Sequence, residues 1–188
     1  MTAKTLSRVY RPQRFLDTRV PEVSTLGSPK NEGEAVRFDG HGDGFLLAEN
    51  ALSECRAFAI EARFRPAAGG AREQRFFHIQ APDSDDRILL EIRLTPDGSW
   101  YADSCFSCGD QVGILIDESL VHALGPWYSY RLSYDGTELR QEIDGVLELC
   151  TQMPGARAPL GGITSIGMRA TRNHFFCGEI AELTLHSA

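Results

Sequence analysis

The sequence predicts one all-β domain, an antiparallel β-sandwich with very little helix. Short runs of residues alternate between apolar and polar with a period of two, which is typical of strands that bury one face. Asp-Gly pairs follow β-rich runs at 97–98, 135–136 and 144–145. Such pairs favour tight hairpin turns, because these residues tolerate positive φ. Repeated short strands joined by hairpins indicate a sandwich.

The strand signals are strongest at 58–65 (FAIEARFR) and 87–94 (RILLEIRL). In both segments the even-numbered positions are apolar, so we expect those side chains to point into the core. The strands end before Pro66 and Pro96, because proline cannot donate to a sheet ladder. Helix is expected only as one or two turns at 49–55 and 117–123. Crossover helices are therefore missing, which excludes a doubly wound α/β fold.

Five segments also carry a family resemblance: AVRFDGHGDGFL at 35–46, FAIEARFRP at 58–66, WYSYRLSYDG at 127–136, ELRQEIDGV at 138–146 and FCGEIAELTL at 176–185. In this order they resemble laminin-G-like jelly-roll domains of the concanavalin-A-like lectin and glucanase superfamily. The resemblance implies two curved antiparallel sheets, with the two chain ends adjacent in one sheet. It implies function less strongly, because members include lectins, pentraxins, adhesion modules and glycoside hydrolases.

Composition divides the chain at residue 34. Residues 1–34 contain three prolines and, through Pro29, five basic against two acidic residues. We expect them to form a basic arm that docks on the sandwich and contributes one outer strand. Residues 35–188 are predicted to form the sandwich itself. The formal net charge of −7 argues against a nucleic-acid partner, because binding phosphate requires a surplus of cations.

The sequence also sets expectations about location. No run reaches the roughly 18 apolar residues of a spanning helix, and no signal peptide is recognisable, so no membrane partner is expected. These features predict a cytoplasmic protein, or an extracellular one if the sequence is a mature form. Five cysteines, an odd number without an export signal, predict reduced thiols.

No cofactor is expected. Cys105 and Cys108 have the spacing of a redox pair or of half a zinc site. A redox pair lacks its βαβ context here, and zinc lacks two further ligands with suitable spacing. Calcium is the alternative, held by Asp39 and Asp43 in a glycine-rich loop or by the acidic turn at 83–86.

The sequence does not predict an enzyme. The segment EIDGVLE at 142–148 resembles the acidic signature of the superfamily's glucanases. A retaining glycosidase needs two carboxyls about 5 Å apart, however, and Asp144-Gly145 predicts a turn that sends Glu148 onto the returning strand. The five histidines are scattered, and none lies in a nucleophile-elbow context.

The strongest candidate for a binding site is an outward sheet surface. If Ile88, Leu90 and Ile92 face the core, the charged residues between them face outward, and a hairpin pairing Thr95 with Trp100 places the indole beside them. Phe76 is likewise expected to face outward. The predicted ligand-binding residues are Trp100, Arg93, Arg131, His78 and Glu91. Aromatic platforms stack on sugar rings while charged groups hold hydroxyls. A salt-bridged solvent face is the alternative interpretation.

Three functions follow from these observations. The primary hypothesis is a non-catalytic recognition module that binds a glycan or a protein through the curved sheet or its rim loops. The second is an enzyme resembling a glycoside hydrolase, which acts on polysaccharide with Glu91, Glu142 or Asp144. The third is a structural domain that self-assembles into a homo-oligomer, because sandwich edges can pair.

Overall fold

The computed structural model describes residues 6–16 and 22–187, and the structural statements below concern these residues. They form two antiparallel sheets of eight strands each, and the sheets enclose one hydrophobic core. The all-β sandwich predicted from the sequence is confirmed. No helix in the described ranges is long and apolar enough to cross a membrane.

Sheet A contains β1 (Leu6–Tyr10), β3 (Lys30–Glu32), β4 (Ala35–Asp39), β6 (Phe58–Pro66), β12 (Tyr128–Tyr134), β13 (Glu138–Ile143), β14 (Val146–Gln152) and β16 (Cys177–Ser187). Its strand order is β14-β13-β12-β6-β16-β4-β3, and β1 pairs with the second half of β16. The two ends of the chain are therefore neighbours in one sheet, as the resemblance implies.

Sheet B contains β2 (Val23–Leu26), β5 (Gly44–Leu47), β7 (Glu73–Gln80), β8 (Arg87–Leu94), β9 (Ser99–Cys108), β10 (Gln111–Ile116), β11 (His122–Ala123) and β15 (Ile163–Ile166). Its order is β10-β9-β8-β7-β15-β5-β2, and β11 pairs with the start of β9. The predicted hairpins join β8 to β9, β12 to β13 and β13 to β14. One of them thus lies in sheet B and two lie in sheet A.

In the two segments with the strongest alternation, the even-numbered side chains form part of the core. Phe64 and Ile60 of β6 and Ile88 and Leu90 of β8 are fully buried. Phe64 stacks on Phe76 with ring centroids 4.7 Å apart, so aromatic packing joins the two sheets directly. The prediction that these two segments face a shared interior is confirmed.

The N-terminal arm differs from the expectation of one outer strand. Its described part supplies three strands, β1 and β3 in sheet A and β2 in sheet B, together with a 3₁₀ helix at Pro12–Leu16. Residues 1–5 and 17–21 of the predicted arm lie outside the described residues. The segments at 49–55 and 117–123 contain turns rather than helix. Their backbone instead connects strands, and 122–123 form β11.

Candidate functional site

The outer face of sheet A, which points away from the core, carries a row of paired charges centred on Arg131. Register places Arg131 of β12 between Glu61 of β6 and Glu142 of β13. The Arg131 guanidinium lies 3.2 Å from the Glu61 carboxylate and 3.6 Å from that of Glu142. Arg131 is half-exposed, so hydrogen-bond donors and acceptors stand side by side at an open surface.

Two neighbouring cavities meet at these residues. The first, of about 420 Å³, extends toward the ends of β12 and β16, and the second, of about 350 Å³, extends toward Arg63 and Glu182. Both are lined by Arg131 and Glu142, and both lie within the range of about 300–1,000 Å³ that is typical of ligand pockets. We call this surface the sheet A groove. The lining of its first cavity includes Ala57, Phe58, Ala59 and Tyr134 together with the ionisable side chains of Asp135, Glu138, Arg140 and His186.

Trp127 directly precedes β12 and lies beside the sheet A groove. Its ring lies under the guanidinium groups of Arg63 and Arg65, whose central carbons are 5.5 Å and 5.2 Å from the ring centroid. These cation–π contacts hold both cations over the indole. Because Arg63 also lines the second cavity, Trp127 positions one wall of the groove.

The N-terminal arm extends this surface further. Arg11 forms an ion pair of 2.9 Å with Glu182 of β16. A third cavity, of about 690 Å³, opens there and is lined by Arg11, Arg14, Glu34, Arg63 and Glu182 among others. Because Arg63 and Glu182 also line the second cavity, the charged surface continues from β13 to the arm.

The outer face of sheet B carries a different kind of site, a buried charge network. Glu91 of β8 is fully buried, and its carboxylate lies 2.8 Å from Nε of Arg75 and 3.4 Å from Nε of Arg93. Arg93 also binds Asp103 of β9 at 2.8 Å. Burial raises the pKa of Glu91 to about 7 against the opposing pull of Arg75, and burial raises the pKa of Asp103 too. These charges therefore contact one another more than they contact solvent.

His78 lies on the same outer face and is also fully buried. Its Nδ1 accepts a hydrogen bond of 3.1 Å from the backbone N–H of Ala170, in the loop between β15 and β16. Burial, together with the positive charges of Arg169 and Arg75, lowers the pKa of His78 to about 3. The side chain is consequently neutral and covered, so its predicted role as an exposed ligand contact lacks the exposure on which it depended.

Trp100 does not occupy the outer surface, and its predicted placement there is wrong. It is fully buried, packs against Phe64 and Tyr128, and donates its indole N–H to the carbonyl of Ala123 at 3.1 Å. The cause is the length of the hairpin loop. Thr95 pairs with Ser99 across three residues, so Trp100 is opposite Leu94 and faces the core.

The five predicted ligand residues therefore lie in three places. Glu91, Arg93 and His78 share the outer face of sheet B, Arg131 lies on the outer face of sheet A, and Trp100 lies in the core between them. No single ligand surface contains all five. Phe76, also expected outward, is buried because a register shift between Arg75 and Phe77 turns it inward.

Glu61, Arg63 and Glu182 were not predicted to be members of one surface. The signal was available in the odd-numbered positions of β6, where Glu61, Arg63 and Arg65 must point outward once Phe64 points inward. Arg131, a predicted ligand residue, does lie on the outer face of sheet A.

The carboxylates considered for catalysis do not share one site. Glu91 lies on sheet B and Glu142 on sheet A, which face opposite directions. Asp144 stands at the predicted hairpin turn with φ of 50° and accepts a hydrogen bond of 2.8 Å from the backbone N–H of Ser129. On the returning strand β14, the Glu148 carboxylate lies 2.7 Å from Nε2 of His122. Glu91 therefore cannot act with Glu142 in one catalytic site.

The candidate calcium and cysteine sites serve local structure. Asp43 accepts hydrogen bonds from the backbone N–H groups of Ser28 and Asp39, at 2.6 Å and 3.1 Å. Within 6–16 and 22–187, no three His, Cys, Asp or Glu side chains are grouped so as to hold a metal ion. All five cysteine thiols are free. Cys105 and Cys108, three apart on one strand, project to opposite faces.

The chain has the laminin-G-like jelly-roll fold of the concanavalin-A-like type. Domain 4 of AbnA, a GH43 extracellular arabinanase from Geobacillus stearothermophilus in complex with arabinotriose, is 16% identical with a TM-score of 0.60, covering 99% of this chain and 83% of that one. Mouse laminin α1 domains LG4-5 are 14% identical with a TM-score of 0.62, covering 84% and 43%. The botulinum neurotoxin serotype D binding domain is 12% identical with a TM-score of 0.63, covering 88% and 43%.

These likenesses establish the fold. The chain spans less than half of the laminin and neurotoxin chains that it matches. No protein-family model matches the sequence, and no curated protein matches it either.

Proposed function

We propose that this chain is a non-catalytic recognition module that binds an oligosaccharide through the sheet A groove. One observation carries the proposal: two adjoining cavities of about 420 Å³ and 350 Å³ share the Arg131 and Glu142 side chains. A sugar presents neighbouring hydroxyls that both donate and accept hydrogen bonds. An arginine held between two carboxylates offers hydrogen-bond donors on the guanidinium and acceptors on the carboxylates, close enough together to bind two neighbouring hydroxyls.

Rigidity supports the same proposal. Arg131 is held by ion pairs from two neighbouring strands, and Arg63 is held by Trp127, so the polar groups of the groove are positioned before a ligand arrives. Preorganised groups lose less conformational entropy on binding. Two adjoining cavities also suit an extended ligand of several units better than a single compact one.

The comparisons indicate where to begin the ligand search. One similar structure, the arabinanase domain, is described in complex with arabinotriose, and the other two named above are laminin α1 domains LG4-5 and a neurotoxin binding domain. Because identities are 16% or lower, they suggest a first probe rather than a ligand. The panel therefore starts with arabinotriose and continues through linear xylo-, gluco-, manno- and galacto-oligosaccharides.

Calorimetric titration of the panel against wild type and two groove variants tests the proposal. Arg131→Ala and Glu142→Gln are expected to weaken binding about tenfold or more, which corresponds to about 1.4 kcal/mol. The matched control is Arg157→Ala, which removes an exposed arginine that lines neither groove cavity. Absence of binding across the panel, or equal affinity in wild type and Arg131→Ala, would overturn the proposal. Thermal melting of each variant confirms that the fold is intact.

A further inference from the structure

The edge strand β10 carries an exposed apolar stripe that the sheet A groove does not use. Val112, Ile114 and Ile116 are 57%, 56% and 36% exposed, and they alternate with the buried or inward positions Gly113 and Leu115. All three face the outer side of sheet B. Large apolar side chains that recur at every second position along one exposed strand indicate an interaction surface rather than scattered surface residues.

The backbone of β10 also offers a row of free hydrogen-bonding groups. Strands β9 and β10 are joined at Gly109-Asp110, so Cys108 and Gln111 form the closing pair. In an antiparallel ladder, pairs with and without mutual hydrogen bonds alternate, which turns the N–H and C=O groups of Val112, Ile114 and Ile116 away from β9. Among the backbone hydrogen bonds of the described residues outside the ladders, none involves 111–116.

Two other edges of the sandwich, β3 and β14, are protected, whereas β10 is not. Edge strand β3 carries Lys30 and Glu32, and edge strand β14 pairs through a register shift. Charges and bulges of this kind discourage unwanted pairing. Strand β10 reads QVGILI, pairs in continuous register over all six residues, and contains neither charge nor proline. Its edge is therefore suited to accept another strand.

Charge at the two ends of the stripe identifies the occupant. Asp110 precedes the stripe, Asp117 and Glu118 follow it, and all are exposed. In a second copy paired antiparallel about Ile114, Asp110 would meet Glu118 of that copy, and like charges opposite each other are destabilising. A strand with basic residues at its ends meets opposite charges at both ends instead.

We propose that β10 binds an extended peptide segment of a partner protein by strand addition. The partner segment has apolar, β-branched residues at alternate positions and Lys or Arg at both ends, and it extends sheet B by one strand. Main-chain hydrogen bonds to β10 supply affinity, while the stripe and its acidic ends select the side chains. This site is separate from the sheet A groove, so it does not depend on the proposed function.

The probe is a labelled synthetic peptide, Lys-Arg-Thr-Val-Thr-Val-Thr-Val-Thr-Arg-Lys, whose binding is followed by fluorescence polarisation. Two control peptides accompany it: one has Glu and Asp at the ends, and one has Pro in place of the central Val. Wild-type protein is expected to bind the basic-ended peptide at least tenfold more tightly than either control. The preference over the acidic-ended peptide should shrink as salt is added, because the end charges are exposed.

Variants of the protein locate the site. Ile114→Pro removes an outward N–H and is expected to weaken binding at least tenfold, while Ile114→Val keeps the donor and the branched shape and should bind within about threefold of wild type. If Ile114→Pro does not fold, Asp117→Asn combined with Glu118→Gln provides a second test. That variant keeps the strand intact, and it should lose most of the preference for basic ends.

Three results would overturn the inference: no binding of the basic-ended peptide, equal binding by Ile114→Pro in folded form, or equal affinity for basic and acidic ends. Sedimentation of the protein without peptide completes the test. A wild-type dimer that Ile114→Pro converts to monomer would assign β10 to a second copy and would also overturn the proposal. A monomer in both cases, with selective peptide binding, supports it.

Discussion

Replacing Glu91 with glutamine should change how the free energy of unfolding depends on pH. Glu91 is fully buried between Arg75 and Arg93, and burial raises its pKa from 4.5 to about 7. In Glu91→Gln the side chain keeps its size and can still accept a hydrogen bond through its amide oxygen. The amide cannot bind or release the proton, so the substitution removes this single titration.

The sign and size follow from linkage. Because the folded pKa of Glu91 lies above the unfolded one, its stabilising contribution is fully present below pH 4.5 and is lost as pH rises through 7. At 1.36 kcal/mol for each pKa unit, the loss amounts to about 2–3 kcal/mol between pH 5 and pH 8. Wild-type protein should lose this amount relative to Glu91→Gln over that interval.

His78 changes the free energy of unfolding with pH in the opposite direction. The effect of Glu91 must therefore be measured as the difference in stability between wild type and Glu91→Gln. Burial lowers the pKa of His78 from 6.5 to about 3, so the folded state resists a proton that the unfolded state accepts. The buried, neutral His78 lowers the free energy of unfolding by about 2 kcal/mol at pH 5 and by almost nothing at pH 8. The two groups therefore nearly cancel in wild type, and its own pH profile can be flat over this range.

Urea unfolding at pH 5 and pH 8 measures the effect in wild type, Glu91→Gln and Glu32→Gln. The last replaces an exposed carboxylate on an edge strand, so it should follow wild type at both pH values. The stability difference between wild type and Glu91→Gln should shift by about 2–3 kcal/mol between the two pH values, in favour of the variant at pH 8. A constant difference would mean that Arg75 and Arg93 keep Glu91 ionised at both pH values, and the assignment of burial as the dominant cause would fail.

Three further predictions address packing, backbone and exposure. Trp100→Ala should cost about 3–5 kcal/mol in urea unfolding without altering oligosaccharide affinity, because the indole fills the core; a loss of affinity at unchanged stability would contradict its placement. Gly162→Ala should lower stability well beyond Gly155→Ala, since both have positive φ but only the first places a Cβ at 2.1 Å from the Gln80 carbonyl oxygen; equal melting temperatures would contradict this. Exposed Cys150 should react with a disulfide reagent before buried Cys105, whose thiol pKa burial raises, and Cys150→Ser should remove the fast phase.

Much of the fold could be predicted because its signals are local. The alternation at 58–65 and 88–94 decides which side chains are buried without reference to any other strand, and Asp-Gly pairs mark turns by their own conformational preferences. The strands of the arm were harder to foresee. Residues 23–26 and 30–32 have little buried surface, so they join the sheets at the edges, and short edge strands need no strong alternation.

The site could be predicted less well, because it depends on how strands combine. Sequence places Glu61 and Arg131 outward, each within its own strand, but their meeting depends on β12 pairing with β6, which is separated from it by five strands in the chain. Sheet membership is equally non-local. Arg93 and Arg131 have the same outward alternation, yet they lie on opposite sides of the molecule because β8 and β12 belong to different sheets.

The placement of Trp100 depends on the length of one hairpin loop. Across a hairpin with an odd number of loop residues, even-numbered positions pair with even-numbered ones and face the same side on both strands, whereas an even number of loop residues pairs even with odd. One loop residue therefore decides whether the indole of Trp100 faces solvent or core. The run Thr95-Pro96-Asp97-Gly98-Ser99 is consistent with a three-residue loop, with Gly98 at φ of 84°. The following strand carries the same information, because small or apolar residues at 100, 102, 104 and 106 alternate with Asp103. Turning the side that contains Asp103 toward the core between the sheets would have placed its carboxylate among apolar side chains, and this cost favours an inward Trp100.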